Sequence, residues 1–545
     1  MATNLLSTNF SGGVFEKSGT CTVVETGTTT PQIGPDSLDD PTWATVGIGE
    51  YSTSVNAVSR IASTYTTAGK HVIFNSEGSH QYAEPRAVVA TVTGDAIMYG
   101  TEVDTSGNPI SHYDNAYGSS IAYDVANDKV LIAQGTDNNH GNYMVVGTIS
   151  GTSISFGSVT TVDSGSTPSS ISMRPQGMVY VGGMGSDTTN RLVLASIHNQ
   201  NRDGEARVIT ISGTTPTAHA VADFDGIGTG DFCMAYVGNG QVVIVYAYSS
   251  STLKAKVGTV AGGGTNTITW GSEVNLASTN GNLNQLAIAY DEQNSKVVIV
   301  LVDTASNTRG RYIAATVSGT GASGTITFSG KPEFETDGTC TALSAEYHAA
   351  AQKILISYKS AGSTSPQVIA ATYSSTVGTQ VNYTFGTATL IMSASTPAMT
   401  TTSYDALNKK VVVFRDGAVG YKHGLAVDLL TTTVTPDLTT GSYFEVDLQG
   451  GTSHINAITA VPGAVAPKTL TFNLKVTQGS SFPKYFKWSG SDLTKFKWQR
   501  YWLPGTGWVH SPTMTTTNDA VDVYSFTTYD NGTTWYSSIV GQDIK

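Results

Sequence analysis

The side chains most able to do chemistry gather near the C-terminus, where Trp488, Lys495, Lys497, Trp498, Arg500, Trp502 and Trp508 fall within residues 488–508. Flat aromatic faces stack on the apolar faces of sugars, and cations beside them meet anionic glycans; the same mixture also builds a core with a solvated face, or a subunit contact. Three carboxylates, Glu84, Asp124 and Asp291, are candidates for the acid/base pair of glycan hydrolysis, which needs two carboxyl groups about 5 to 9 Å apart. Each fits a turn equally well. Gly319, Gly321 and Gly324 have the spacing of a dinucleotide fingerprint, but no helix follows to hold a pyrophosphate, so the stretch reads as a turn. A Gly-x-Ser-x-Gly elbow, a phosphate loop and a His-Glu-x-x-His pair are all missing from the sequence. His140 and His348 stand singly and read as loop and strand residues. Cys21, Cys233 and Cys340 are too far apart for a disulfide framework or a metal knuckle, and read as buried, inert thiols.

The elements that would position these groups come from a repeat. Tyr123-Asp124 before Lys129, Tyr290-Asp291 before Lys296 and Tyr404-Asp405 before Lys410 each open an apolar run, and Tyr236, Tyr347 and a degenerate Tyr65 do the same. A seventh unit is anchored at Met173, with residues 177–181 as its apolar run. The anchors recur about every 57 residues. Each unit holds four short strands separated by Gly, Asn-Asp and Ser-Gly turns, the pattern of a propeller blade. The expected fold is therefore all-β: a seven-bladed β-propeller over residues 41–437, an arm over 1–40 and a C-terminal β-sandwich over 438–545. The last unit lacks a fourth strand, and residues 42–48 stand where one would lie, so an N-terminal strand is expected to close the ring.

Composition sets the outer bounds. The 545 residues include 58 Gly and carry 29 basic against 41 acidic side chains, a net charge of −12. A chain this acidic lacks the basic footprint of nucleic-acid binding. Its longest apolar runs fall well short of the ~18 residues of a membrane span, so no membrane insertion is expected, and the first residues show no secretory signal.

Residues 516–543, with Lys495-Phe-Lys-Trp498 upstream, resemble the C-terminal module of tailed-phage tail fibres and virion structural proteins, especially those of phages of marine cyanobacteria. The blade repeat is similar to tandem repeats in such proteins. The resemblance implies a non-enzymatic virion surface protein, on the particle exterior and made in the host cytoplasm. It would be present in multiple copies among other virion proteins, and would attach to a host-surface glycan or protein receptor or decorate the particle. A glycan-degrading propeller and a structural spacer are the alternatives. The stretch Asp530-Asn-Gly532-Thr-Thr-Trp535 also resembles the Asp-box hairpin of sialidase propellers, a structural motif there too. Asp223, Asp225 and Asp231 resemble the calcium loop of some propeller blades, although Ile227 fills the usual third acidic position. Calcium is the one cofactor this suggests, and a glycine-rich turn is the competing reading.

Overall fold

A computed structural model describes residues 21–33, 49–52, 58–77, 84–93, 96–104, 119–135, 143–162, 171–172, 176–182, 190–198, 203–226, 231–249, 252–262, 264–278, 285–303, 309–335, 340–360, 366–377, 380–390, 400–416, 422–436, 438, 442–447, 455–458, 470–477, 496–498, 501–503, 507–509, 520–529 and 534–544. The protein is all-β, built of multiple antiparallel sheets, and divides into a large unit of residues 29–34 and 41–429 and a smaller one of residues 1–28, 35–40 and 430–545. No described helix is long and apolar enough to cross a membrane.

In the large unit, sheets follow one another along the chain. Their first strands are Val58–Tyr65, Ser119–Asp124, the split pair Ile171–Ser172 and Met178–Tyr180, Phe232–Gly238, Leu286–Asp291, Cys340–His348 and Thr400–Asp405. Each pairs antiparallel with the strand after it. First strands of successive sheets pack on each other in this order, and Val58–Tyr65 of the first sheet packs on Thr400–Asp405 of the seventh.

The second strands explain why the sequence runs apolar there. Along Lys296–Asp303, Val297, Ile299 and Leu301 enter a core shared with the fourth sheet, while Val298, Val300 and Val302 enter one shared with the sixth. Side chains alternate across a strand, so a strand covered on both faces has no position left for a polar residue. A core of the same kind lies between the first and seventh sheets, where Ile73, Val88 and Ile97 meet Val412, Phe414 and Ala426. Lysines opening second strands reach threonines on the third: Lys70 Nζ to Thr91 at 2.9 Å, Lys296 Nζ to Thr316 at 3.0 Å and Lys353 Nζ to Thr372 at 2.7 Å.

Three expectations need correction. In the third sheet, residues 177–181 are not a second strand: Met178–Tyr180 continues the first strand, and the second is Leu192–His198. The repeat anchor is therefore Tyr180 and not Met173, and the anchors 65, 123, 180, 236, 290, 347 and 404 are spaced by 58, 57, 56, 54, 57 and 57 residues. The segment read as an arm carries a strand, Cys21–Ile33, paired in the sheet of Lys422–Pro436. Residues 42–48 lie outside the described residues; Gly49–Ser52 also adds to the seventh sheet, with Gly49 opposite Gly424 and Glu50 opposite His423.

In the smaller unit the described strands include a five-stranded sheet, Tyr443–Asp447, Leu470–Thr477, Val521–Thr528, Trp535–Ile544 and Phe496–Trp498, a hairpin of Tyr501–Leu503 with Gly507–Val509, and Ile455–Ile458, which pairs parallel with the end of Lys422–Pro436. The end pairs are parallel and the central ones antiparallel. Phe472 stacks on Phe526 at 4.8 Å and meets Trp535 edge-on at 5.1 Å, so Trp535 is core. Among the described residues this unit thus holds a mixed sheet, a hairpin and the pairing of Ile455–Ile458 with residues 432–434.

Candidate active site

The site grows out of the turn that ends each first strand. Asp124 Oδ1 accepts the backbone N–H groups of Ala126 and Asn127, Asp291 Oδ1 that of Asn294, and Asp405 Oδ1 that of Asn408. The asparagine amide returns a bond to the same carboxylate in all three. The residue just before the lysine takes positive φ, as at Asp128, Ser295 and Lys409. Asp124 and Asp291, singled out above as acid/base candidates, are thus committed to holding turns. The side chain of Glu84 lies outside the described residues. In the sixth sheet His348 replaces the aspartate: its Nδ1 accepts the Ala351 N–H at 3.0 Å, and burial pushes its pKa down to about 4, keeping the ring neutral and able to accept.

The tyrosine before each capping residue reaches back to the preceding sheet. Tyr404 accepts the Ala350 N–H at 3.2 Å, Tyr347 that of Gln293 at 3.4 Å, and Tyr65 that of Leu407 at 3.0 Å. Tyr123 bonds the Thr67 hydroxyl at 2.8 Å and donates to Asp128 at 2.8 Å; Tyr180 meets the backbone of Ala126 and donates to Asn190 at 3.0 Å. Five of the seven hydroxyls are so engaged with the turn before. Tyr236 instead accepts the Gly240 N–H of its own turn at 3.4 Å. Burial raises the pKa of Tyr65, Tyr123, Tyr180, Tyr347 and Tyr404, so these phenols stay neutral across the physiological range.

With the hydroxyls turned to the backbone, the seven rings line a cavity of about 470 Å³ at the end of the large unit where these turns lie. Gln176 spans it: Nε2 donates to the carbonyls of Ile288 at 3.0 Å and Ala345 at 3.2 Å, and Oε1 accepts the Ile288 N–H at 2.9 Å. Two acids share the cavity, Glu292 from the turn of the fifth sheet and Glu346 from the first strand of the sixth. Burial pushes the Glu346 carboxyl up to about 8; the Tyr347 backbone N–H offsets this in part and the charge of Glu292 adds to it. Glu292 is exposed. At neutral pH the cavity therefore presents a protonated carboxyl in sight of a second acid, the pairing that separates a proton donor from a base or nucleophile.

Sequence reasoning missed both glutamates. The remaining sequence candidates do not converge on the cavity. Asp223 is exposed on the strand Thr215–Gly226, opposite Glu205; the side chain of Asp225 lies outside the described residues, and Asp231 uses its carbonyl to accept the Ala247 N–H at 2.9 Å. Among the described residues there is no group of three acidic, His or Cys side chains able to hold a metal. Trp488, Lys495 and Arg500 lie outside the described residues. Of the rest only the backbone register is described: Lys497 opposite Tyr536, Trp498 opposite Ser537, and Trp502 opposite Trp508. Asp530, Gly532 and His140 also lie outside the described residues. Residues 319–324 form the expected turn, closed by a 3-10 segment at Gly321–Ser323. Cys233 and Cys340 are buried free thiols whose pKa burial raises.

No protein-family model matches the chain, and no curated protein is significantly similar to it. Solved structures similar to it include a protein from Lactobacillus plantarum (TM-score 0.41, 11% identity, 68% of this chain and 96% of that one) and a leech intramolecular trans-sialidase complexed with 2,7-anhydro-Neu5Ac (0.39, 9%, 69% and 68%). A mutant Aleuria aurantia lectin in complex with α-methyl-L-fucoside is a third (0.36, 12%, 63% and 98%). The expectation of a non-enzymatic chain is corrected here: trans-sialidases and NanB sialidase stand among its structural neighbours. What activity the chain has is a question for the chemistry of its own cavity.

Proposed function

We propose that the large unit is a seven-bladed propeller, closed where Gly49–Ser52 joins the strand Lys422–Pro436, and that its central cavity binds and hydrolyses a glycan. The closed ring is supported by the packing of the first sheet on the seventh and by the Tyr65 hydroxyl bonded to the Leu407 amide. Calcium has no part in this reading. The function rests on one observation: a cavity ringed by tyrosines brings Glu346 together with Glu292, and burial raises the Glu346 pKa to about 8.

Glu346 is the general acid, giving its proton to the glycosidic oxygen as the bond to the anomeric carbon breaks. Glu292 activates water on the opposite face of the sugar or attacks the anomeric carbon itself, according to whether the carboxyl groups stand about 6.5–9.5 Å or about 5–5.5 Å apart. The tyrosine rings supply flat apolar walls for the sugar faces. In this reading, which the C-terminal resemblance to phage virion proteins supports, the substrate lies on a host surface and the chain on the outside of a particle, where many copies would multiply weak binding. Incubating the chain with host-cell polysaccharide should release new reducing ends, and Glu346→Gln should cut the rate at least ~100-fold, the usual worth of a general acid. Retention on the polysaccharide without reducing ends would overturn hydrolysis and leave attachment alone.

A further inference from the structure

The cavity's polar inventory is one-sided. Among the described residues its lining includes two acids and no Lys, Arg or His. Several of its hydrogen-bond donors are already spent. The Gln176 amide is bonded to two carbonyls, Ser403 pairs with His71 at 2.8 Å, Thr402 with Ser344 at 2.7 Å and Thr401 with Ser63 at 3.2 Å. Most of the tyrosine hydroxyls are occupied by turns of the neighbouring sheet. Beside the Glu346 proton, what the cavity offers a ligand is therefore the second acid, Glu292, and aromatic rings. An anion entering it would lose its water and meet no cationic side chain among the described residues. A cation meets Glu292 and the negative faces of aromatic rings, the arrangement that recognises ammonium and quaternary ammonium groups.

We infer that the ligand of the tyrosine-ringed cavity is cationic: a sugar bearing a free ammonium group, or another alkylammonium, and not an acidic sugar. This rests on the cavity being the glycan site proposed above, and it fixes the class of glycan: amine-bearing units, with N-acetylated and carboxylated units discriminated against. Glu292 supplies the charge that holds the ammonium, and the tyrosine rings supply the walls. Glu346 keeps its role as proton donor. The overall charge of −12 draws cations toward the surface before they reach the cavity.

The test measures binding to the full chain by calorimetry and tyrosine fluorescence, with tetramethylammonium, glucosamine, N-acetylglucosamine and N-acetylneuraminic acid as probes. The two cations should bind at least tenfold more tightly than N-acetylglucosamine, and N-acetylneuraminic acid should not bind. Glu292→Gln should remove most of that preference. Tyr236→Phe and Tyr290→Phe, which keep the rings, should retain cation affinity, whereas Tyr236→Ala and Tyr290→Ala, which remove them, should lower it several-fold in chain that circular dichroism shows to be folded. Equal binding of N-acetylglucosamine, tighter binding of N-acetylneuraminic acid, or an unchanged preference in Glu292→Gln would overturn the inference. Cation binding with no release of reducing ends from a glucosamine polymer would sink hydrolysis and leave the inference standing. Release from neutral polymers without cation binding would do the reverse.

Discussion

At the junction of the fifth and sixth sheets, Asp291 accepts the Tyr383 hydroxyl at 2.7 Å; at the junction of the seventh and first, its counterpart Asp405 faces His71 Nε2 at 3.4 Å. Both aspartates are fully buried and both cap the same kind of turn. Their partners differ in kind, one a neutral phenol and the other an imidazole whose second nitrogen meets Ser403 at 2.8 Å. The fifth–sixth junction also carries the two acids of the cavity, Glu292 and Glu346. The repeat thus dictates the turn, while the neighbouring sheet decides whether the junction responds to pH. One junction sets an acid against an imidazole, and the other sets an acid against an acid.

The largest effect expected from this contrast is at the seventh–first junction. Although burial alone would raise it, the Asp405 carboxyl is held below its ordinary value of 3.8 by its bonds to His71 and Asn408. Its contribution to stability is complete above that value and fades as the pH falls through the lower folded one. Asp405→Ala should cost about 3–5 kcal/mol in urea unfolding at pH 7, because it strands a buried partner, and the gap to wild type should narrow below pH 3.8. A gap independent of pH would break the contrast.

Glu346 should behave in the opposite sense. Its folded pKa of about 8 lies above the ordinary 4.5, so the folded state holds the proton more tightly and stability falls as the pH rises through that window. Glu346→Gln should therefore gain on wild type between those limits, by on the order of 3 kcal/mol at the alkaline end. Next in size, Tyr383→Phe removes a hydroxyl bonded to a carboxylate and should cost about 1.5–3 kcal/mol, with no pH dependence between 5 and 8. Smallest is Lys296→Met, which gives up the 3.0 Å bond to Thr316 and should cost about 0.5–1 kcal/mol by thermal melting.

Much of the large unit was legible because apolar runs, turn residues and tyrosines recur together. The third sheet was misread for a specific reason: its first strand is split into Ile171–Ser172 and Met178–Tyr180, so the apolar second piece imitated a second strand. The uneven spacing around Met173 was the signal, and Tyr180 restores it. The glutamates of the cavity carried no such mark. Glu292 follows a turn aspartate and Glu346 precedes a repeat tyrosine, and only the packing of the fifth sheet on the sixth brings them to one space. The carboxylates that did look chemical, Asp124 and Asp291, were the ones the turns consumed. Trp535, read with its hairpin as structural, is indeed spent on packing against Phe472.

The backward reach of the tyrosine hydroxyls gives the large unit a direction. Each bond ties a sheet to the one before it, and Tyr65, which has no sheet before it in the chain, takes the turn at Leu407 instead. In the proposed ring these one-way links, five in number, give the chain no privileged beginning. Joining the ends of the large unit and reopening the chain between the second and third sheets would leave every link in place, so such a circular permutant should fold to the same cavity.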